Sequence, residues 1–251
     1  MTLQVYYEDS YREEKARSPH DLLQEEISLS KVLTNFVIEQ KNRFLPDVDW
    51  NGLSVLELGS GRGGAGLHLA RLGAKVTLVD FSPTALAQAE RLYSLEGFEV
   101  ETVVGDVTHP DVALGKKFDV IVDSHLLHCL TEDPDRSSFY GLVSDHLYPH
   151  GIFVSETMVH RKKLFIPDGF MFDERNVLWQ MFGKWTPVRR ILDSLDLEAE
   201  IGNTELKIVS FFYYAQYGFV PHRRFMEIPG EVLPASVRMV LKKNDFTQEH
   251  S

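Results

Sequence analysis

The 251-residue sequence has a single cysteine, Cys129, and no apolar stretch that approaches the roughly 20 residues a membrane span requires. One cysteine cannot form an internal disulfide, so we expect a reducing compartment, the cytoplasm. The first 17 residues lack the apolar core of a signal peptide. Basic residues are also few, since 26 Lys and Arg stand against 37 Asp and Glu and give a formal net charge of -11. Because nucleic acids and anionic lipids are bound by positive charge, we expect neither a nucleic-acid nor a membrane partner.

Apolar runs alternate with helix-like segments through the middle of the chain. The expected strands are 53–58, 75–80, 98–104, 118–123 and 151–157. The expected helices between them are 63–72, 82–94 and 137–147, and Ser82 followed by Pro83 is typical of a helix start. Strands separated by helices in this order predict a parallel sheet that is covered on both faces.

The segments outside this alternation define the expected domain organisation. An amphipathic helix over 19–42 places residues 1–48 in an N-terminal helical cap. Near the end of the core, a helix from Thr186 through Leu195 precedes two extended runs, 197–201 and 206–217, and the turn residues between these runs predict an antiparallel hairpin. We assign 49–218 to the core, with 158–185 as an inserted lid at the acceptor site. Residues 219–251 then form a C-terminal appendage.

The first predicted strand ends in a glycine-rich turn, Val-Leu-Glu-Leu-Gly-Ser-Gly-Arg-Gly-Gly over residues 55–64. Gly59, Gly61 and Gly64 have the spacing of a dinucleotide-binding turn, in which a side chain would block the ligand or the helix behind it. Glu57 lies two residues before the first glycine, where a carboxylate can accept hydrogen bonds from a ligand. The glycines alone do not distinguish NAD or FAD from other ligands.

Five motifs in order resemble the class I S-adenosylmethionine (SAM)-dependent methyltransferases. They are the turn at 57–63, Asp80 at the end of the second strand, Gly105-Asp106-Val107, the strand at 118–123 and the loop at 147–151, where His150 replaces a glycine. The resemblance covers about residues 50–218. It implies a Rossmann-like α/β fold, doubly wound, whose mostly parallel seven-stranded sheet ends in an antiparallel hairpin.

The resemblance also implies a map of the cofactor site for SAM and its product S-adenosylhomocysteine (SAH). Asp80 would accept hydrogen bonds from both ribose hydroxyls, because a carboxylate is an acceptor that can take two donors. Asp106 would accept one from the adenine amine. The remaining cofactor contacts implied are Glu57 near the amino group, the turn residues Gly59, Ser60 and Gly61, apolar contacts from Phe81 and Val107, and Asp123 after the fourth strand.

In this fold the segment after the fourth strand faces the methyl group. His125 is therefore our first candidate for a catalytic base, because its ordinary pKa suits proton uptake near neutrality, and Asp123 is the second. His128 is either a packed helix-face residue or an acceptor contact. The His125–His128 pair has no third ligand, and we expect no metal. Further candidate acceptor contacts are Tyr7 and Tyr11 in the cap and Arg161 in the insertion.

These observations predict methyl transfer to a small-molecule acceptor through nitrogen, oxygen or sulfur. The fourth motif is not the Asn/Asp-Pro-Pro-aromatic form used on adenine or glutamine amides, and it lacks the Pro-Cys pair needed on cytosine. Two alternatives stay open at this point: an NAD(P)-dependent oxidoreductase, and a SAM-binding regulatory protein without transfer activity. The sequence also leaves open whether the hairpin or the N-terminal helix mediates a homodimer.

Overall fold

The computed structural model of the protein describes residues 3–13, 17–109, 112, 114–160, 164–216 and 234–244. Arg161, which was predicted to contact the acceptor, lies outside these residues. Within them the chain forms α-helices and two β-sheets. The helices are α1 (Leu3–Glu13), α2 (Pro19–Phe44), α3 (Gly64–Ala70), α4 (Pro83–Leu95), α5 (Asp133–His146) and α6 (Ser194–Gly202), with a 3₁₀ turn at Leu127–Cys129.

The larger sheet has seven strands in the order β3-β2-β1-β4-β5-β10-β9. Its strands are β1 (Ser54–Leu58), β2 (Lys75–Asp80), β3 (Glu101–Val104), β4 (Phe118–Ser124), β5 (Leu147–Val159), β9 (Leu206–Gln216) and β10 (Ala235–Lys243). The first five are parallel, and β10 is antiparallel to both of its neighbours. This arrangement confirms the predicted Rossmann-like sheet with an antiparallel end.

The core lies in two layers, one on each face of the sheet. On one face, alternate strand residues such as Val55 and Val120 pack with α2, α3 and α4. On the other face, Leu56 and Ile121 pack with α5 and α6. Strands that are buried on both faces read as continuous apolar runs, which explains why these strands could be located in the sequence.

The partner strand of the terminal hairpin differs from the prediction. Residues 197–201 belong to α6, because Asp193 caps that helix by accepting hydrogen bonds from the amides of Leu195 and Asp196 at 2.8 and 2.9 Å. Leu197 and Ile201 are buried on one face of α6, as i, i+4 spacing allows. The strand that pairs with β9 is β10, so residues 235–243 are an internal strand of the sheet, although the sequence placed them in an appendage.

The insertion after β5 folds into a small antiparallel sheet. Its strands are β6 (Phe170–Phe172), β7 (Val177–Met181) and β8 (Trp185–Arg190), in that order. The helix predicted from Thr186 is wrong, because this segment pairs with β7 and buries Thr186 and Val188 on one side of the strand, as period-two alternation requires. The sheet has its own apolar core around Leu178 and Ile191, and β8 packs against the 3₁₀ turn.

The N-terminal helices cover the edge of the sheet where the glycine-rich turn lies. Helix α2 packs on α3, and Leu33 and Val37 of α2 belong to the core. Helix α1 is held at the start of α4, where Glu8 accepts hydrogen bonds from the hydroxyls of Ser82 and Thr84, both at 2.5 Å. Among the described residues, no helix combines the length and apolar character needed to cross a membrane.

Candidate functional site

The glycine-rich turn connects β1 to α3 and brings backbone amides to the sheet edge. Gly61 has a positive φ of 52°, and its amide donates to the Oδ2 atom of Asp80 at 2.8 Å. A Cβ atom at residue 61 would lie 2.5 Å from the hydroxyl of Tyr11. Glycine is therefore required there by both backbone conformation and space.

Glu57 lies at the base of this turn, almost completely buried. Its Oε2 atom accepts a hydrogen bond from the amide of Gly66 at 2.7 Å, which holds the start of α3 against β1. Burial raises the pKa of Glu57 to about 8, although the hydrogen bond from Gly66 opposes the shift. The side chain is thus mostly protonated at neutral pH and would ionise beside a positive ligand group.

Ser60 carries a polar atom that has no partner within the described part of the chain. Its hydroxyl oxygen is buried and makes no hydrogen bond there, while its backbone amide donates to Val79 at 3.0 Å. Buried polar atoms are normally paired, so an unpaired hydroxyl in a cavity wall indicates a ligand that completes it.

Two acidic side chains follow β2 and β3, as predicted. Asp80 accepts backbone hydrogen bonds from Gly61 and Ser82, one on each oxygen and both at 2.8 Å. Burial raises the pKa of Asp80, and these two hydrogen bonds oppose the shift. Asp106 is less buried, and its Oδ1 atom accepts from the amide and hydroxyl of Thr108. Its Oδ2 atom accepts from Gln4 of α1 at 2.8 Å.

A first cavity, of about 420 Å³, runs along the carboxyl edge of the sheet. Its lining follows the strand order, from Asp106 after β3 and Asp80 at the end of β2 to His125 after β4 and Met158 on β5. Phe81 and Val107 line the β3–β2 part, while Tyr7 of α1 belongs to the same wall as the residues near β4. The structure therefore brings together Asp80, Phe81, Asp106, Val107, His125, His128, Tyr7 and Tyr11 in one cavity.

A second cavity, of about 560 Å³, lies beside the first and shares Tyr11, Gly59, Ser124 and His125 with it. Glu57, Ser60 and Gly61 also line it. The charged side chains of its wall include Arg62, whose Nε atom is 3.2 Å from Glu26 and whose guanidinium lies over the ring of Tyr11. The two cavities meet at the glycine-rich turn and His125.

His125 has an unusual backbone conformation, with a φ of 70°. Few residues other than glycine adopt positive φ, and such residues cluster at functional sites. Its amide donates to the carbonyl of Glu156 at 3.1 Å, and its Nε2 atom is 3.4 Å from the carboxylate of Glu156. Burial lowers the pKa of His125, and Glu156 partly opposes this shift. The imidazole is therefore neutral near pH 7 and able to accept a proton.

Glu156 is a site residue that the sequence reasoning missed. It lies on β5, and Ser236 and Arg238 of β10 donate to its two carboxylate oxygens at 2.9 and 2.5 Å. Although burial alone would raise the pKa of Glu156, the hydrogen bond from Arg238 and the charges nearby hold it below its usual value. The signal was present, because Glu156 occupies the carboxyl part of a predicted strand, as Glu57 and Asp80 do.

The structure does not bring Asp123 to either cavity. Its carboxylate is fully buried and accepts hydrogen bonds from the amides of Leu126 and Leu127 and from the hydroxyl of Ser155. Burial raises the pKa of Asp123 to about 6, while these bonds oppose the shift. Asp123 thus holds the loop that carries His125 and contacts no cavity itself.

His128 is buried in the wall of the first cavity, with its Nδ1 atom 3.3 Å from the hydroxyl of Thr157. Its ring is 5.5 Å from that of His125. Burial lowers the pKa of His128 well below the usual value, so the side chain is neutral. Within the described ranges, no group of three or more His, Cys, Asp or Glu side chains could hold a metal ion.

Comparisons with known proteins point to one family. The family model for a methyltransferase domain matches residues 55–151, from β1 into β5. A ubiquinone biosynthesis O-methyltransferase of Paramagnetospirillum magneticum is 30% identical over 109 residues, which are 43% of this chain and 42% of the relative. An uncharacterized methyltransferase of Bacillus subtilis is 40% identical over 78 residues, 30% of this chain and 31% of the relative. The chain thus matches less than half the length of these curated relatives.

Solved structures share the fold at low sequence identity. A SAM-dependent methyltransferase of Clostridium acetobutylicum superposes with a TM-score of 0.60 at 16% identity, over 84% of this chain and 90% of the other. Magnesium protoporphyrin IX methyltransferase of Synechocystis, solved with bound SAH, gives a TM-score of 0.56 at 13% identity, over 87% and 83% of the two chains. These findings show that residues 55–151 match a methyltransferase domain and that the chain has the fold of SAM-dependent methyltransferases of known structure.

Proposed function

We propose that this protein transfers a methyl group from SAM to a nitrogen, oxygen or sulfur atom of a small-molecule acceptor. The observation that carries the proposal is the composition of the first cavity. Asp80 and Asp106 line its β3–β2 part, and His125 lines its β4 part. Carboxylates that can accept hydrogen bonds from an adenosine therefore line the same cavity as a candidate catalytic base.

The β3–β2 part of the first cavity fits an adenosine. Asp80 uses one lone pair of each oxygen for a backbone amide, so both oxygens can still accept a ribose hydroxyl. Asp106 would accept from the adenine amine, with Phe81 and Val107 as apolar contacts. The glycine at residue 61 leaves room beside the turn for the hydroxyl of Tyr11, which lines both cavities.

The second cavity fits the methionine part of the cofactor. The unpaired hydroxyl of Ser60 offers a hydrogen bond there, and Glu57 and Arg62 carry side chains whose charges complement an amino and a carboxylate group. When bound, SAM would supply an electrophilic methyl group on a positively charged sulfur.

The chain's own contribution to transfer is alignment and proton removal. In an in-line displacement, the acceptor atom forms a bond to the methyl carbon as the carbon–sulfur bond breaks, so the acceptor must lose any proton it carries. His125 would accept that proton. The carboxylate of Glu156, 3.4 Å from its Nε2 atom, would stabilise the resulting imidazolium.

Titration calorimetry with SAH and with NAD tests the cofactor assignment. We expect saturable binding of SAH and none of NAD, because the carboxylates and the unpaired serine match the former. Incubation with SAM labelled on its methyl group and a fractionated metabolite extract then tests transfer. Binding of SAH without transfer to any fraction would instead support a regulatory protein. The half-buried thiol of Cys129 supports a reducing compartment, and we place the protein in the cytoplasm on that basis.

A further inference from the structure

Arg189 is a cation in the wall of the first cavity, and it has no role in the proposed reaction. It lies on β8, opposite Leu178 of β7, and the insertion sheet brings it to the 3₁₀ turn after β4. Its charge acts on both His125 and His128 and lowers their pKa values. Arg189 therefore belongs to the β4–β5 part of the cavity, away from Asp80 and Asp106.

The partners of Arg189 are neutral. Its Nη1 atom donates to the carbonyl of Val188 at 2.6 Å, and its side chain also bonds to the hydroxyl of Tyr7. Within the described residues it forms no ion pair, whereas the neighbouring Arg190 pairs with Asp133 and Arg175 pairs with Glu132. A half-buried guanidinium in a cavity wall is commonly paired with an anion, and none of the described carboxylates pairs with Arg189.

The cofactor does not explain this charge. Arg62 lines the second cavity beside Ser60 and Glu57, where the methionine part fits, and Arg189 does not line that cavity. Arginine also stays protonated at any physiological pH, so it cannot serve as a base. The remaining role for Arg189 is to bind an anionic group of the methyl acceptor.

We propose that Arg189 binds a carboxylate of the methyl acceptor, so that the protein acts on small carboxylic acids that carry a separate nucleophilic atom. This inference rests on the proposed function and specifies its substrate class. The planar fork of a guanidinium matches a carboxylate through two parallel hydrogen bonds. The hydroxyl of Tyr7 lies beside it and can donate a further bond to the same anion.

The charge of the pocket favours a monoanion over a phosphate. His125 and His128 are neutral near pH 7, so Arg189 provides a single positive charge in this part of the cavity. The rest of the wall there is largely apolar, with Leu130 and Met158. A carboxylate held by Arg189 is a poor nucleophile, because its lone pairs are engaged in hydrogen bonds. The carboxylate is thus a binding handle, and the methylated atom is a different one.

Matched acid and amide pairs test this inference on the full chain saturated with SAH. The probes are benzoate with benzamide, 4-hydroxybenzoate with 4-hydroxybenzamide, and 3-hydroxybutyrate with its amide, with phenyl phosphate as a dianion. We expect at least one acid to bind about 10- to 100-fold more tightly than its amide, as a charge-assisted pair predicts. Arg189→Gln should remove this preference, and Arg189→Lys should restore part of it. Arg190→Gln, on the same strand, should leave it unchanged.

Several results would overturn the inference. They are equal affinity for acids and amides, a preference that survives in Arg189→Gln, stronger binding of phenyl phosphate than of benzoate, and no binding of any acid at millimolar concentration. A loss of SAH affinity in Arg189→Gln, with its thermal midpoint unchanged, would assign Arg189 to the cofactor and leave the proposed function intact. Failure of the unsubstituted protein to bind SAH would contradict the proposed function itself.

Discussion

Three carboxylates follow neighbouring strands at one edge of the sheet, and each has a different environment. Glu57 is buried beneath the glycine-rich turn, Asp80 is held by two backbone amides, and Asp106 is partly exposed. A residue type at a strand end thus indicates where a ligand binds. The hydrogen bonds that each carboxylate already accepts determine which of its lone pairs are available to that ligand.

Replacing Asp80 should lower the affinity for SAH more than replacing Asp106. Asp80→Asn removes the charge that we propose accepts two ribose hydroxyls, so we expect SAH affinity to fall about 10- to 100-fold. Asp106→Asn should have a smaller effect, because this side chain is more exposed and already shared with Gln4. Calorimetry measures both, with the exposed Asp145→Asn as control. Unchanged affinity in Asp80→Asn would contradict the assignment of the ribose site.

Glu57 predicts proton release on cofactor binding. With a pKa of about 8 it is mostly protonated at pH 7, and an ammonium group placed beside it would lower that pKa and release up to about one proton. Calorimetry of SAH binding at pH 7 in phosphate and in Tris, which differ in ionisation enthalpy, measures the release. It should shrink at pH 9, where Glu57 is already ionised, and should be lost in Glu57→Gln. Identical enthalpies in the two buffers would rule the mechanism out.

His125 predicts the acid limb of the pH–rate profile. Its pKa lies below the ordinary 6.5 because burial and the charges of Arg189 and Arg238 outweigh Glu156. The neutral, proton-accepting form therefore predominates at pH 6.5 and above, and the acid limb should lie at lower pH than that of an unperturbed histidine. His125→Gln should remove this limb and lower kcat about 10²- to 10⁴-fold. A limb that persists in His125→Gln would assign the proton transfer to another group.

The strand-end residues that line the two cavities could be located from the sequence, whereas the contacts between distant segments could not. Glu57, Asp80 and Asp106 could be found because a parallel strand ends at a known edge of the sheet. Arg189 could not, since its contacts depend on β8, which was predicted as a helix. Asp123 also follows a strand, but its side chain points into the protein, a direction that the pattern of residues does not reveal.

At the scale of elements, α1 is the helix whose residues Gln4, Tyr7 and Tyr11 line the first cavity, where we propose that the cofactor binds. The hydrogen bonds of α1 join Gln4 to Asp106, Glu8 to Ser82 and Thr84, and the carbonyl of Tyr11 to Gln88, and its rings Tyr6 and Tyr7 contact Phe182 and Phe81. Every α1 side chain whose burial is described is half-buried or exposed, whereas α2 buries Leu33 and Val37, so α1 can separate from the rest of the fold more readily than α2 can.

Removing the Glu8 contacts should therefore loosen the site without unfolding the protein. In Glu8→Ala we expect SAH to dissociate about 2- to 10-fold faster, because two hydrogen bonds that hold α1 are lost. Stopped-flow displacement measures the rate. Asp9→Ala is the matched control, since Asp9 lies on the same helix and, among the residues that the structure describes, pairs with Arg12 at 3.6 Å. Equal rates in the two variants would show that α1 does not retain the cofactor.

The two errors of element prediction have one physical cause. Thr186–Arg190 and 197–201 are short segments of mixed character, in which local sequence permits both helix and strand. Pairing with β7 makes the first a strand, and the cap provided by Asp193 makes the second a helix. The secondary structure of these segments depends on long-range pairing and on a single capping residue. The strands β1 and β4 could instead be predicted from their continuous apolar runs alone.

At the scale of the whole molecule, stability should depend on β10. Met239 is fully buried between β5 and β9, so Met239→Ala should lower the free energy of unfolding by about 2–5 kcal/mol. Met171→Ala, at an exposed position of the insertion sheet, should change it by less than about 0.5 kcal/mol. Denaturant titration followed by circular dichroism measures both. Similar values for the two variants would contradict an internal position for β10.

The position of β10 also has a consequence for biosynthesis. The ribosome synthesises β9 before β10, the strand that lies between β9 and β5 in the sheet. Neither β5 nor β9 can therefore complete its pairing with β10 until residue 243 has left the ribosome. Until then β5 presents an open edge, the kind of surface that pairs with other chains. A nascent chain that stalls within β9 would therefore carry Glu57, Asp80 and Asp106 on a sheet that still has an unpaired edge at β5.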